Sequence, residues 1–585
     1  MIEMKRIYYV FTVIAAASLA VSCGDFLERA PGDNMTKEEL FSKIETAERY
    51  LDNAYVYLPD FQCNTEDLTG RYKLGGATDE IGFQQASGYP ASPFDINLGS
   101  WNPTQMPMAR NWSDFYGCIR RCNMFIENYD LIPEDMSAGG ASNRKERLLG
   151  EAYGLRGYYY FLLFKQWGGV PILNSVLDPG NVESLNGIKR ASAEEIVNQI
   201  LSDMDEAMLH LPEKHDDANF GRFTSVVAAV VKAQVKLYWA SKYWNRDNDT
   251  ARWEDAAEAN REALNMAEKA GYILAPTYTE MFNKAAISSE FIWTKNSEHY
   301  ECYWWDFYAM PLGYNAYNVD GPLQEIVDDF EVKKLGEIPV LGYNEDNTQI
   351  INPKCAELDP STAPDVADQK PYYDPEHPWE GRDDRFYSCI LYNGAMLQGR
   401  PIDISANGKD NINIGSIIRT NYFTRKYLDE NHNLVTNASW TYRRFAIMRT
   451  SELYLNYAEA LIEMGGASNL EQARQRINKI RERANGADYV PIPSGLSQDE
   501  LRQRVRRERR MELVFENHRF WDVRRWMIAE TVDNKKVHRV AVDADGRITY
   551  PVFQKRVFDP TRHYLFPIPQ TEIDKNRALE QNPGW

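Results

Sequence analysis

Three carboxylates stand at helical spacing near the C-terminal end of the chain: Glu508, Glu512 and Glu516, at i, i+4 and i+8 on one face. A column of acids can bind a cation, or supply one side of the acid/base pair that cleaves a glycosidic bond. Like charges stacked this closely repel unless cations neutralise them. Arg443, Arg444, Arg449, Arg519 and Arg524 are the candidate partners, so the stripe reads first as an ion-paired seam between helices. Glu151 with Arg156, and Glu459, take the same structural reading. The arginine-rich run 502–510 alternates with Glu and apolar residues at helical spacing, which marks a salt-bridged helix rather than a phosphate site.

Other chemistries lack their residues. The eight His form no HExxH pair, and the chain carries no GxSxG elbow, Walker A loop or dinucleotide fingerprint. Cys118 and Cys122 lie one helical turn apart, but no His or second Cys pair stands near them, so they read as buried thiols. The expectation is no catalytic residue and no cofactor; cation binding stays open. A net charge of -19 and a pI near 5.1 argue against a nucleic-acid partner, which needs a basic footprint.

The unusual resource is aromatic: 12% of the chain, with 35 Tyr and 14 Trp. Sugar binding needs flat ring faces against the C–H surface of a pyranose, flanked by amides and carboxylates for the hydroxyls. Outside the predicted helices, rings cluster at Trp101 with Asn102, at Tyr372, Tyr373 and Trp379, and most densely over 300–317. That last cluster holds Tyr300, Tyr303, Trp304, Trp305, Phe307, Tyr308, Tyr314 and Tyr317, with Asn315 and Asn318 interleaved. The succession Tyr303, Trp304, Trp305 suggests one face buried and the other available. The ligand-binding set expected on this basis is Trp101, Asn102, Tyr300, Tyr303, Trp304, Trp305, Tyr314, Tyr317 and Trp379.

Helical patterns must position these loops. Thr36 with Glu39 has capping-box spacing and opens a helix predicted to run to about Leu58. Further patterns cover 111–130, 143–167, 192–211, 224–243, 252–270, 442–464, 468–484, 497–516 and 519–529. Residues 271–441 read as a large irregular insertion, with a helix near 322–331 and a few short strands. Two helix pairs place small residues where helices would cross, among them Ala228, Ala229 and Ala233 with Ala256, Ala259 and Ala263. Their period of roughly 34 residues resembles tetratricopeptide units, which must stack on neighbours to bury their faces. The fold class expected is mainly α: tetratricopeptide-like pairs as a scaffold, opposite a loop-rich face.

The N-terminus reads as an export segment. Lys5 and Arg6 precede an apolar run over 7–20, too short to span a bilayer, which ends Leu19-Ala20-Val21-Ser22-Cys23. Residues 1–22 are thus a predicted signal peptide. Cys23 resembles the acylated Cys of a bacterial lipobox, although Ala20 stands where Leu is usual. Residues 23–34 would form a short tether, and 23–585 a single domain.

Several segments, in order, resemble the SusD/RagB family of outer-membrane nutrient-binding lipoproteins. They begin with Cys23-Gly24-Asp25-Phe26-Leu27-Glu28 and continue through Gly150-Glu151-Ala152 to Tyr158-Tyr159-Tyr160 and Trp167-Gly168-Gly169-Val170-Pro171. RTSELYLNYAEA at 449–460 and ERRMELVFENHRFWDVRRW at 508–526 follow, with Tyr564 to Pro569 and Gln581 to Trp585 at the end. The resemblance implies a SusD-like fold anchored by lipid to the outer membrane and facing outward. It implies capture of an oligo- or polysaccharide, in some members a peptide, for a SusC-like TonB-dependent transporter, without catalysis. It also implies glycan contacts from loops near Trp101 and ahead of 322–330. Peptide capture and glycoside hydrolysis are the alternatives.

Overall fold

The computed structural model describes residues 35–59, 74–83, 93–135, 144–178, 180, 186–279, 281–282, 287–296, 299–318, 320–411, 419–436 and 442–585. Cys23, the signal segment and the tether lie outside them. The capping box forms: Thr36 Oγ1 accepts from Glu39 N at 3.2 Å, and Glu39 returns the bond to Thr36 N at 2.8 Å. The helix it opens is broken, however. α1 (Lys37–Phe41) stops at Ser42, and α2 (Ile44–Asp52) restarts with Ile44, Ala47 and Leu51 buried.

The scaffold is a run of helices, each packed on the next: α3 (Arg110–Glu127), α4 (Arg144–Trp167), α5 (Ala193–His210), α6 (Ser225–Ala240) and α7 (Thr250–Lys269). α7 then packs on α10 (Thr450–Met464), which pairs with α11 (Ala467–Asn485) and α12 (Gln498–Glu512). Glycines let neighbouring segments approach α4 closely. A Cβ on Gly157 would sit 2.5 Å from Met204 Cε, and one on Gly154 would sit 2.6 Å from the Phe223 ring. The C-terminal segment staples this layer: Trp167 Nε1 donates to Pro567 O at 2.8 Å, and Asn582 Nδ2 to Trp167 O at 3.1 Å. One contiguous core of buried side chains runs from Phe41 to Leu579. The protein is mainly helical, with paired helices as predicted.

The strands of the described residues form two-stranded antiparallel ribbons only. β1 (Ile81–Phe83) pairs with β3 (Asp320–Pro322), β2 (Phe291–Asn296) with β6 (Arg444–Arg449), and β4 (Val340–Tyr343) with β5 (Gln349–Ile351). β6 corrects the predicted helix over 442–464, which begins only at Thr450. A short apolar run buried throughout does not distinguish strand from helix by periodicity. The insertion contains more order than expected. α8 (His299–Ala309) falls within the segment read as loop, and α9 (Gln324–Asp329) stands where a helix was placed. α13 (Arg519–Arg525) closes the series of longer helices.

Candidate functional site

The carboxylate stripe of α12 and the turn after it is buried and ion-paired. Glu508 lies 2.6 Å from Arg385 and 3.1 Å from Arg481. Glu512 meets Arg449 at 2.6 Å, Arg385 at 3.1 Å and also Arg483. Glu516 takes Arg449 at 2.8 Å and Lys426 at 2.6 Å. Burial alone would raise the Glu512 carboxyl, but Arg483, Arg449 and Arg385 outweigh it and hold that group below its ordinary range. Of the expected partners, Arg449 alone lies on the stripe among the described residues. Arg443 binds Asp306, Arg519 binds Asp79, Arg524 covers the Phe520 ring and Arg444 that of Phe220. Glu151 is held by Arg147 and Arg222, whereas Arg156 pairs with Asp203; Glu459 is bound by Arg525 at 2.7 Å. Among the described residues, no group of three or more His, Cys, Asp or Glu is arranged to hold a metal ion.

The ring cluster has a different geometry, set by α8. Cys302, Trp305, Asp306 and Ala309 recur at i, i+3, i+4 and i+7 and face inward, all buried. Asp306 anchors the helix: it accepts from Arg443 at 2.6 and 3.0 Å and lies 2.7 Å from His432 Nδ1. The opposite face carries Tyr303, Trp304 and Phe307, each half-buried. Tyr303 stacks on Phe307 with centroids 5.9 Å apart and planes at 17°, and Phe307 stacks on Tyr317 at 6.0 Å and 10°. Three near-parallel rings thus form a column that ends at Tyr317, which is 50% exposed. The turn that delivers Tyr317 is fixed by left-handed Asn315 (φ 59°) and by the bond from Tyr317 N to Phe307 O at 2.8 Å. Beside the column, Trp304 stacks on Tyr308 at 5.3 Å and packs with Phe83 and Phe94.

The expected site residues divide accordingly. Tyr303, Trp304 and Tyr317 are brought together on this shelf, and Tyr300 belongs to the first turn of α8, its side chain lying outside the described parts. Tyr314 stands close in sequence but is occupied: its hydroxyl donates to Leu397 O at 2.7 Å, and the Arg400 guanidinium lies 4.0 Å from its ring centroid. Trp101 and Trp305 are each 2% exposed and Trp379 9%, so their rings serve the core. Trp101 is clamped by Phe566 and Trp585 at 4.6 and 4.5 Å, and Trp379 stacks on Tyr392 and donates to Tyr422 Oη at 3.0 Å. Asn102 uses its Oδ1 to cap a turn, accepting from Thr104 N at 3.0 Å and Gln105 N at 3.1 Å. Phe307, absent from the expected set, is the middle ring of the column; its i+4 relation to Tyr303 was the available signal.

Two carboxylates elsewhere have surroundings that could serve acid/base work. Glu325 and Asp328 on α9 line a polar cleft with Tyr343 and His538. Burial pushes Asp328 up to about 7. Both are engaged internally: Asp328 accepts from Tyr343 Oη and from Gln324 Nε2 at 2.8 Å, and Glu325 binds His538 Nδ1 at 2.8 Å. Sharing one short helix, they do not face each other across a gap as a glycosidase pair must.

Residues 289–585 match the profile of the SusD family. The chain belongs to the SusD family. Residues 25–237 match a second profile, described as starch-binding and associating with the outer membrane. Over 592 residues, covering the full length of both chains, the protein is 24% identical to SusD-like protein P2 of Formosa agariphila. A SusD-like protein of Bacteroides fragilis superposes with a TM-score of 0.74 at 26% identity, covering 95% of this chain and 100% of its own. A second Bacteroides fragilis structure, described as a SusD-like carbohydrate-binding protein, superposes at 0.70 with 21% identity, over 92% of this chain and 100% of its own. The SusD fold accounts for the paired helices and the short ribbons alike. Among the described residues, no helix is long and apolar enough to cross a membrane.

Proposed function

We propose that this SusD-family protein captures an oligo- or polysaccharide on the α8 shelf and performs no chemistry on it. The observation that carries the reading is the column Tyr303–Phe307–Tyr317, which ends in a half-exposed ring held flat by its neighbours. A pre-stacked ring gives a pyranose face an apolar surface without loss of side-chain freedom on binding. Trp304 extends the shelf sideways, and exposed Asn315 beside it supplies an amide for hydroxyls. The family and the carbohydrate-binding description of a structural relative support the same reading. In this account, acylated Cys23 holds the protein on the outer face of the outer membrane, and captured glycan passes to a SusC-like TonB-dependent transporter. Two or three acyl chains suffice for stable anchoring, each buried methylene contributing about 0.8 kcal/mol.

The test is retention of the protein in native gels cast with a panel of polysaccharides. One panel member should slow the wild-type chain, and Tyr317→Ala should migrate close to its mobility in plain gel. Unchanged retention of Tyr317→Ala on that glycan would remove the shelf from the site. Calorimetry with peptides in parallel distinguishes peptide capture, and new reducing ends in the incubated mixture would reveal hydrolysis.

A further inference from the structure

Between α4, α6, β6 and the start of α13 lies a partly open cavity whose lining includes none of the shelf residues. Its walls are mostly apolar, with Tyr158, Phe161, Tyr238 and Trp521 contributing rings. Its volume is about 110 Å³. That is space for roughly ten waters, and hence for one substituted six-membered ring rather than a chain of sugars.

Among the described residues, one cation meets this cavity without a hydrogen bond. Lys165, on α4, has no hydrogen-bond or ion-pair partner among the described residues, and its Nζ lies 4.8 Å from the Phe161 centroid and 5.3 Å from that of Trp521. Asn111, on α3, also lines the cavity, but its Nδ2 is spent on Gln166 at 3.1 Å and its Oδ1 is shut off from the open space. The carboxylates around the cavity are already engaged. Glu452 accepts twice from Gln234 at 3.0 Å and stands 3.4 Å from Arg509 and 3.8 Å from His518. Glu516 is held by Arg449 and Lys426, and Asp522 by Arg509 at 2.7 Å. Burial draws the Lys165 ammonium down to about 8, against the pull of Glu452 and Asp522 in the other direction. An ammonium so placed costs free energy that a matching anion relieves.

We propose that this cavity is a second binding site, for a single-ring carboxylate. The carboxylate meets Lys165 Nζ, and the ring lies among Phe161, Tyr238 and Trp521. The site does not depend on the glycan reading of α8. A ring of this kind is either an aryl acid or a uronic acid, and the two are separable by experiment.

The full chain is titrated by calorimetry with 4-hydroxybenzoate and with glucuronate, each against its neutral counterpart, 4-hydroxybenzyl alcohol and glucose. At least one acid should give a saturable heat, with the neutral form about tenfold weaker or more. Lys165→Met, which keeps the apolar stem, should lose that binding about tenfold or more, while Lys165→Arg retains part of it. On the wild-type chain, the bound acid should protect Lys165 from acetylation by an N-hydroxysuccinimide ester, read by mass spectrometry. Binding of 4-hydroxybenzoate alone assigns an aryl acid, and of glucuronate alone a uronic acid. The proposal fails if neither acid binds at millimolar concentration, if the neutral forms bind equally, or if a bound acid leaves Lys165 acetylation unchanged.

Discussion

The seam around α12 and the shelf on α8 both expose a run of one residue type to a sequence reader, yet they end differently in space. Along the seam, Glu508, Glu512 and Glu516 are closed off by arginines and a lysine from four other segments. On the shelf, one side of α8 is closed by Trp305 and Asp306, while the ring column on the other side terminates at solvent. A buried charge must be matched by its own fold, whereas a stacked ring can leave its last face for a ligand. On the proposed reading, that contrast separates structure from site within a single chain.

The sharpest way to break the comparison is to remove a hub of the seam. Arg449 binds Glu290, Glu512 and Glu516 at 2.7, 2.6 and 2.8 Å, so Arg449→Ala leaves three buried carboxylates under-compensated. Urea unfolding should show a loss at the upper end of about 3–5 kcal/mol. Trp305→Ala, on the closed side of α8, should cost about 3–4 kcal/mol by the same assay, as a large core truncation. A stability loss below about 1 kcal/mol would show that Trp305 is not the core residue its burial indicates.

The seam also sets the acid response. Glu512 is held below its ordinary value of 4.5. A depressed carboxyl gives its full stabilisation above the unfolded value, and loses it as pH falls through the folded one. The unfolding midpoint should therefore drop as pH falls below about 4. Glu512→Gln should be less stable at neutral pH and show a shallower acid slope. Smallest in stability is Tyr317→Ala: a change within about 0.5 kcal/mol. Its effect should lie in glycan affinity, where losing one ring face is worth about 1–2 kcal/mol.

Much of the scaffold was legible in the chain. The Thr36 cap, the small residues at helix crossings and the stripe on α12 each follow from local spacing. Of that stripe's partners Arg449 was legible, but Arg385, Arg481, Arg483 and Lys426 were not, because they reach it from separate segments and no periodicity links them. α8 was hidden for a different reason. Rings stand on both of its sides, and its inward face includes a charged residue, Asp306, so no apolar stripe marks the helix. Trp101 and Trp379 misled because a ring that fills a core and a ring that meets a sugar look alike in sequence. Trp101 is enclosed by the last segment of the chain, a contact that spacing does not report.

Hydroxyl-radical footprinting of the wild-type protein, with and without the polysaccharide that retains it, tests the shelf most directly. Tyr317 and Trp304 should lose reactivity on binding, while Tyr442, 54% exposed and not a member of the column, stays unchanged. Bound glycan with Tyr317 and Trp304 as reactive as before would contradict the assignment of cargo to α8.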